Sequence, residues 1–314
     1  MPEFVLNHTQ GWLDHFRSQG HEPVPLAAGV EGAIYDLGTG LVAKVWRERR
    51  AAELERMQSF YADVAATELP FATPEILRIE QVDGTSVTYE RKLPGEPLQQ
   101  RLDVNEREIG PSAVNCVTDV LRALATVPAT ASMRELAALD ESWPLWAGAG
   151  TFQAALLGLI ERRVMRFGPV IRDHLPDFDR RYMALRERLG ALDSWPATVI
   201  HGDLLGQNIL VDAHVRPVAV LDFGFLTTVG DPRFDAAITA GIMNMYGPHA
   251  LSITQFLTAR FARDLGYPSE VLLTYEAAYA AATSNAFTPD GSDGHFAWCI
   301  AQLRRADISQ ALGL

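Results

Sequence analysis

Three polar residues at two spacings carry the chemistry that this sequence offers. Asp203 and Asn208 lie in Val199-Ile200-His201-Gly202-Asp203-Leu204-Leu205-Gly206-Gln207-Asn208-Ile209-Leu210-Val211, and Asp222 lies in Val220-Leu221-Asp222-Phe223-Gly224. The first two share a loop that runs into an apolar triplet, and the third closes the next apolar run. A hairpin of that length brings all three side chains to one mouth. There one carboxylate can orient an attacking hydroxyl, while an amide and a second carboxylate offer hard oxygen ligands to Mg²⁺. Phosphoryl transfer needs those parts, because its catalysis is positioning of the nucleophile and neutralisation of phosphate charge. Asp-Phe-Gly alone is an ordinary turn, since both end residues favour turns. Preceded by His-Gly-Asp, four residues and Asn, it becomes a specific joint pattern.

The elements that must position these residues follow from periodicity and turn signals. Gly32–Leu37 and Leu41–Trp46, separated by Gly38-Thr39-Gly40, read as a hairpin. From Glu48 to about Ala66, apolar Leu54, Met57, Phe60, Tyr61 and Val64 recur at helical spacing. Ile76–Gln81 and Ser86–Arg91 read as strands around Asp83-Gly84. Leu93-Pro94-Gly95-Glu96-Pro97 then breaks the pattern, because each proline removes a donor and restricts the residue before it. Beyond it the chain is mostly helical, around residues 112–127, 151–166, 177–192, 234–245, 250–265, 268–284 and 295–312. The expected fold class is α+β, with a small β-rich N-lobe holding one helix (residues 1–93) and a larger, mostly helical C-lobe (94–314). The catalytic loop spans 199–211.

His201-Gly202-Asp203, Asn208 and Asp222 together resemble the aminoglycoside phosphotransferase-like kinases, a small-molecule kinase family with a bilobal, protein-kinase-like fold and the signature HGDxxxxN followed by a metal-binding Asp. Gly230-Asp231-Pro232-Arg233-Phe234-Asp235 is similar to the family's GDPxxD segment, and Tyr89-Glu90-Arg91-Lys92-Leu93-Pro94-Gly95-Glu96-Pro97-Leu98 to its lobe connection. The matches run from about residue 26 to 240. The resemblance implies Asp203 as the catalytic aspartate that orients the acceptor's hydroxyl, and Asn208 and Asp222 as ligands of Mg²⁺ on the triphosphate. His201 is either a base or a buried brace of the loop, and Asp235 supports that loop without doing chemistry. Asp231 reads as an N-cap with Pro232 at the first helical position. Gly202 permits close backbone approach or a positive φ.

A lysine within a strand is ordinarily a solvated residue of an alternating pattern. Beside the downstream motifs, Lys44 in Val42-Ala43-Lys44-Val45-Trp46 looks like the kinase lysine that contacts the α- and β-phosphates. Its expected partner is a glutamate on the following helix, Glu53, with Glu55 as the alternative. The amides from Gly29 to Gly32 cap phosphate oxygens in the same reading, or form a simple turn. Adenine is expected against the backbone of Arg91, Lys92 and Leu93. The donor is ATP or GTP.

A protein kinase would carry an activation segment ending in Ala-Pro-Glu. Here five residues separate Gly224 from Gly230 and no Ala-Pro-Glu follows, so a small-molecule alcohol is the expected acceptor and no protein substrate is expected. The formal charge is −12, which repels phosphate backbones and anionic lipid, so neither nucleic acid nor membrane is an expected partner. Acidity attracts cations, and together with the family resemblance it implies an aminoglycoside-type antibiotic as the leading acceptor. Macrolides, amino sugars, choline-like amino alcohols and homoserine remain open. Candidate pocket residues are Asp264, Glu270, Glu276, Asp290 and Asp293, with aromatic Tyr246, Tyr275, Tyr279, Phe287, Phe296 and Trp298. Two readings of other classes are a binding-only pseudokinase, opposed by the intact Lys44, Asp203, Asn208 and Asp222, and a metal-dependent hydrolase built on His201. Only two cysteines occur, Cys116 and Cys299, far apart, which fits reduced thiols. With no signal-peptide pattern and no apolar run of membrane length, the chain reads as cytoplasmic.

Overall fold

The computed structural model describes residues 3–29, 31–38, 40–103 and 105–314, with side chains from residue 10 onward. Val30 of the glycine loop, Thr39 of the hairpin turn and the first two residues lie outside the described residues. The chain divides into two compact units, Met1–Pro94 and Gly95–Leu314.

The first unit is a five-stranded antiparallel sheet with two helices, α1 (Glu3–Ser18) and α2 (Ala51–Ala65). Its strands are β1 (Val24–Ala28), β2 (Gly32–Asp36), β3 (Leu41–Trp46), β4 (Ile76–Val82) and β5 (Thr85–Arg91), in the order β1-β2-β3-β5-β4. One helix is expected from sequence; the second, α1, and the edge strand β1 are additions. Trp12, Leu13 and Phe16 of α1 pack on Tyr35, Ala43, Val45 and Tyr89, the alternate residues of one sheet face. Among the described residues these are the apolar side chains of α1 packed on that face, and β1 is exposed at all five positions. The β4–β5 turn is Asp83-Gly84, both with positive φ, as a tight hairpin requires.

The second unit holds α3 (Pro111–Leu124), α4 (Phe152–His174), α5 (Phe178–Gly190), α6 (Pro232–Ile242), α7 (Ala250–Leu265), α8 (Ser269–Thr283), α9 (Gly294–Arg304) and α10 (Ala306–Leu312). Its short strands are β6 (Glu96–Pro97), β7 (Thr198–Ile200), β8 (Ile209–Val211), β9 (Pro217–Val220) and β10 (Thr228–Gly230). Every residue of α6 is buried, and α8 is packed by α4, α5, α6, α7, α9 and α10. Helices apolar all round belong in such a centre. The span 295–312, expected as one helix, breaks at Arg305, whose backbone is extended while its guanidinium turns inward to Glu276. α4 runs on through Pro169 to His174, beyond the expected span 151–166.

β7 pairs with β10, and β8 lies between β6 and β9, all antiparallel. These two small sheets leave His201–Asn208 and Leu221–Thr227 as the connecting loops.

Candidate active site

β7 delivers the chain into the loop through His201, which is fully buried. Its backbone N–H and that of Gly202 both donate to the carboxylate of Asp235, at 3.0 and 2.9 Å. Asp235 is itself buried on α6; burial pushes its carboxyl above the usual range, and the two N–H donors pull against that. The imidazole is tied at both nitrogens. Nδ1 accepts from the Asp203 N–H at 3.2 Å, and Nε2 donates to the Leu221 carbonyl at 2.7 Å, so the ring carries its proton on Nε2. Burial holds its pKa below the ordinary histidine value. With no lone pair left over, this imidazole has nothing to offer a metal, which removes the ligand on which the hydrolase reading rests. Gly202 sits at φ +76°, and a Cβ there would lie 2.4 Å from the Leu226 carbonyl carbon. Thr227 Oγ1, at the end of the facing loop, donates to the His201 carbonyl at 2.6 Å.

The loop ends in a turn that returns Asn208 to its start. Asn208 is buried, and its Nδ2 donates to the Asp203 carbonyl at 2.9 Å. That bond fixes the amide's orientation and leaves Oδ1 as an oxygen donor. The Leu221 N–H donates to the Asn208 carbonyl at 2.8 Å, so the residue next to Asp222 is bonded to Asn208 itself. Asp222 is exposed and holds φ +59°, a left-handed conformation that aspartate tolerates better than most residues. The outlier stands two residues beyond the end of β9, and backbone held in such a sparsely populated region clusters at functional sites. The β8–β9 turn is fastened by Asp212, which accepts from the N–H groups of His214 and Arg216; these bonds lower its carboxyl pKa to about 2.

An amide oxygen and a carboxylate held to adjacent bonded residues are a hard-oxygen set of the kind Mg²⁺ takes, with the remaining ligands coming from phosphate and water. Among the described residues no three His, Cys, Asp or Glu side chains form a metal-binding group.

In the first unit, Lys44 lies on β3, its ammonium 3.3 Å from Glu31 Oε2 and 3.9 Å from the centroid of the Trp46 ring. Arg49 shares Glu31 at 2.8 Å. The expected partner Glu53 instead bonds Arg50, through its guanidinium and its backbone N–H. The reason is position: Glu53 is the third residue of α2, where a glutamate reaches back to cap the first turn. Glu55 is exposed. Glu31, in the loop before β2, carried no signal beyond its neighbouring glycines. Gly29 donates to the Gly32 carbonyl at 2.9 Å, and a Cβ on Gly32 would collide with the Val45 carbonyl, so that turn requires glycine. Arg91 and Lys92 at the end of β5 are exposed and bond Glu75 and Asp36; the Lys92 N–H donates to the Gly40 carbonyl, and Leu93 follows half-buried.

The carboxylates expected to line an acceptor pocket are mostly engaged elsewhere. Asp264 pairs with Arg260 and Arg263, both at 2.8 Å, and Glu276 is buried against Arg305. Asp290 accepts from Ser292, and Asp293 caps α9 through the Phe296 N–H. Glu270 is exposed in the first turn of α8. Tyr275 donates to Asp231 at 2.8 Å, inside a buried cluster that pairs Asp231 with Arg233 at the start of α6. Both cysteines are buried, and burial pushes the Cys116 thiol up to about 12. Among the described residues no helix is long and apolar enough to cross a membrane.

The model of the phosphotransferase enzyme family matches residues 22–280. No curated protein matches the chain. Among solved structures, the GDP and kanamycin complex of APH(2")-IIia is 16% identical, with 89% of this chain and 91% of that one covered at a TM-score of 0.60. The apoenzyme of macrolide 2'-phosphotransferase MphH from Brachybacterium faecium is 20% identical, over 94% and 98%, at 0.55. An aminoglycoside phosphotransferase from Streptomyces rimosus, in complex with ADP and streptomycin, is 16% identical, over 88% and 98%, at 0.53.

Proposed function

The chain belongs to the phosphotransferase enzyme family, and we propose that it transfers the γ-phosphate of ATP or GTP to an alcohol hydroxyl of a small molecule. Similar folds bind GDP or ADP and, in two cases, an aminoglycoside, which supports a nucleotide donor and a small-molecule acceptor of the aminoglycoside or macrolide kind. The observation that carries the reading is the bonded network that presents Asp203, Asn208 and Asp222 from two connected loops.

In this reading Asp203 accepts a hydrogen bond from the acceptor's hydroxyl and aligns its oxygen for in-line attack on the γ-phosphorus. Asn208 and Asp222 would hold Mg²⁺, which supplies neutralisation of the phosphate charge when bound. Lys44 contacts the inner phosphates, with Glu31 as its acidic partner, and Gly32 offers its backbone N–H to a phosphate oxygen, the Gly29 N–H being held by the Gly32 carbonyl. Arg91, Lys92 and Leu93 present backbone to the base. His201 and Asp235 position the loop and take no part in proton transfer.

The test is Mg²⁺-dependent release of nucleoside diphosphate across a panel of aminoglycosides, macrolides, amino alcohols and sugars. One class should stimulate release, and Asp203→Ala should abolish that stimulation while nucleotide still binds. Retained turnover in Asp203→Ala would remove Asp203 from the role; nucleotide binding with no acceptor-stimulated release would favour the binding-only reading.

A further inference from the structure

The segment from Asp222 to Thr227 is tied to the catalytic loop at both ends. Leu221, just before it, is bonded to Asn208 and to the His201 imidazole, and Thr227 donates to the His201 carbonyl. Its middle is held from elsewhere. The Phe225 carbonyl accepts from the Leu139 N–H at 3.0 Å, and the Phe225 ring stacks on Phe287 at 5.7 Å with ring planes 10° apart. Leu139 and Phe287 are distant in sequence, yet both trace back to one side chain, Arg163 of α4.

Arg163 is 2% exposed and bonds in two directions. Its Nη1 donates to Asp140, the residue after Leu139, and its Nη2 donates to the Asn285 carbonyl at 2.8 Å. Asn285 is buried two residues before Phe287, and its own amide donates to the Pro289 carbonyl at 3.1 Å. Arg162 and Arg166 reinforce the first tie, bonding Glu141 at 2.7 Å and Asp140 at 2.8 Å. The loop they grip is held against its own preference. Leu139 has φ +58°, a left-handed conformation that a bulky residue rarely takes and that persists only where the surroundings over-determine it. A position as buried as that of Arg163 is ordinarily apolar, since a guanidinium out of water is costly unless well bonded. What the guanidinium adds is a planar fork that holds two loops in one register, which the point charge of a lysine does less well.

We propose that Arg163 is a positioning residue: through Leu139 at the backbone of Phe225 and Phe287 at its ring, it fixes the segment that presents Asp222. The assignment rests on the phosphotransfer reading, in which Asp222 holds the metal ion, and Arg163 acts through these neighbours, not on the reacting atoms.

The test uses the full chain with a non-hydrolysable nucleoside triphosphate. Mn²⁺ titration followed by electron paramagnetic resonance gives the metal affinity. Hydrogen exchange gives the protection of the Leu139 amide relative to other amides of its unit. Arg163→Met should weaken Mn²⁺ binding roughly tenfold, the usual size for losing a residue that supports a metal ligand, and should strip protection from Leu139. Arg163→Lys should fall between. Asp140→Ala, at a side chain 47% exposed, removes the tie from the loop side without emptying the core and should shift both readouts the same way. Arg305→Met is the control, since it removes another buried arginine of this unit, bonded to Glu276, and should leave both readouts as in wild type. Unchanged Mn²⁺ affinity in Arg163→Met and Asp140→Ala, or an equal loss in Arg305→Met, would overturn the proposal. Lost Leu139 protection with wild-type Mn²⁺ affinity does so too, and leaves phosphotransfer standing. A wild-type complex that binds no Mn²⁺ sinks the phosphotransfer reading, and Leu139 exchange then decides alone whether Arg163 holds the segment.

Discussion

Replacing Gly202 by alanine is the smallest change that should damage the site. At φ +76° an L-residue carries about 1–2 kcal/mol of left-handed strain. The added Cβ would stand 2.4 Å from the Leu226 carbonyl carbon and 2.5 Å from its oxygen. Ordinary contact requires the two backbones to part by about 1 Å, and overpacking of that kind costs about 1–3 kcal/mol. The sum, roughly 2–5 kcal/mol, is a large share of a total stability near 5–15 kcal/mol. For a unit of this size, at about 2–4 °C per kcal/mol, it corresponds to a fall in melting temperature of roughly 4–20 °C. Turnover should fall further than stability, because Asp203 is the next residue and a displacement of about 1 Å at a reacting group costs on the order of a hundredfold. Calorimetric unfolding and steady-state turnover at a temperature where the variant is folded give the two numbers. Gly206→Ala is the internal control: its Cβ meets the ends of the Gln99 and Leu102 side chains at 3.0 and 3.1 Å, which can move, and the Gln99 backbone nitrogen at 3.3 Å, so a smaller cost than at Gly202, about 1 kcal/mol, is expected. A Gly202→Ala protein with wild-type melting and turnover would refute the reasoning.

Stability should fall with acid through two histidines. Burial holds His201 and His295 below the ordinary 6.5 and so neutral in the folded chain, His295 down to about 4, while the unfolded chain protonates both as pH drops through 6.5. Stability is therefore full above 6.5 and lost below it by about 1.4 kcal/mol per pH unit for each histidine. His295→Phe should flatten the slope between pH 6.5 and 5 by one proton, and an unchanged slope would show that His295 titrates normally when folded. Arg305→Met leaves Glu276 buried without its cation and should cost about 3–5 kcal/mol in denaturant unfolding. Arg305→Met with Glu276→Leu should recover most of that, and additive losses would mean the pair is not coupled.

What was legible in the sequence was what local pattern encodes. The Asp83-Gly84 turn, the strands on either side, the N-cap of α6 by Asp231 and the glycine at 202 all follow from residue type at a position. Long-range pairing was not. Glu53 looked like the partner of Lys44 because it sits on the right helix, but its place in the first turn binds it to Arg50, and Glu31 takes the lysine. The break at Arg305 lacks a glycine or proline, since the force that turns the chain is a buried ion pair with α8, some thirty residues earlier. Helix α4 ignores Pro169 for a similar reason: Phe167 and Ile171 on either side are buried, and tertiary packing offsets the lost bond.

The ties of His201 to Asp203 and Leu221, and of Asn208 to Asp203, all run within the protein. A loop that is already ordered has little conformational entropy left to lose when substrate arrives, so the binding free energy at this site is not diminished by the roughly 1–2 kcal/mol per residue that fixing a slack backbone would take. Affinity here should be set by the contacts a substrate makes. Its temperature dependence should then report those contacts, without the large ordering entropy of a loop that folds around its ligand.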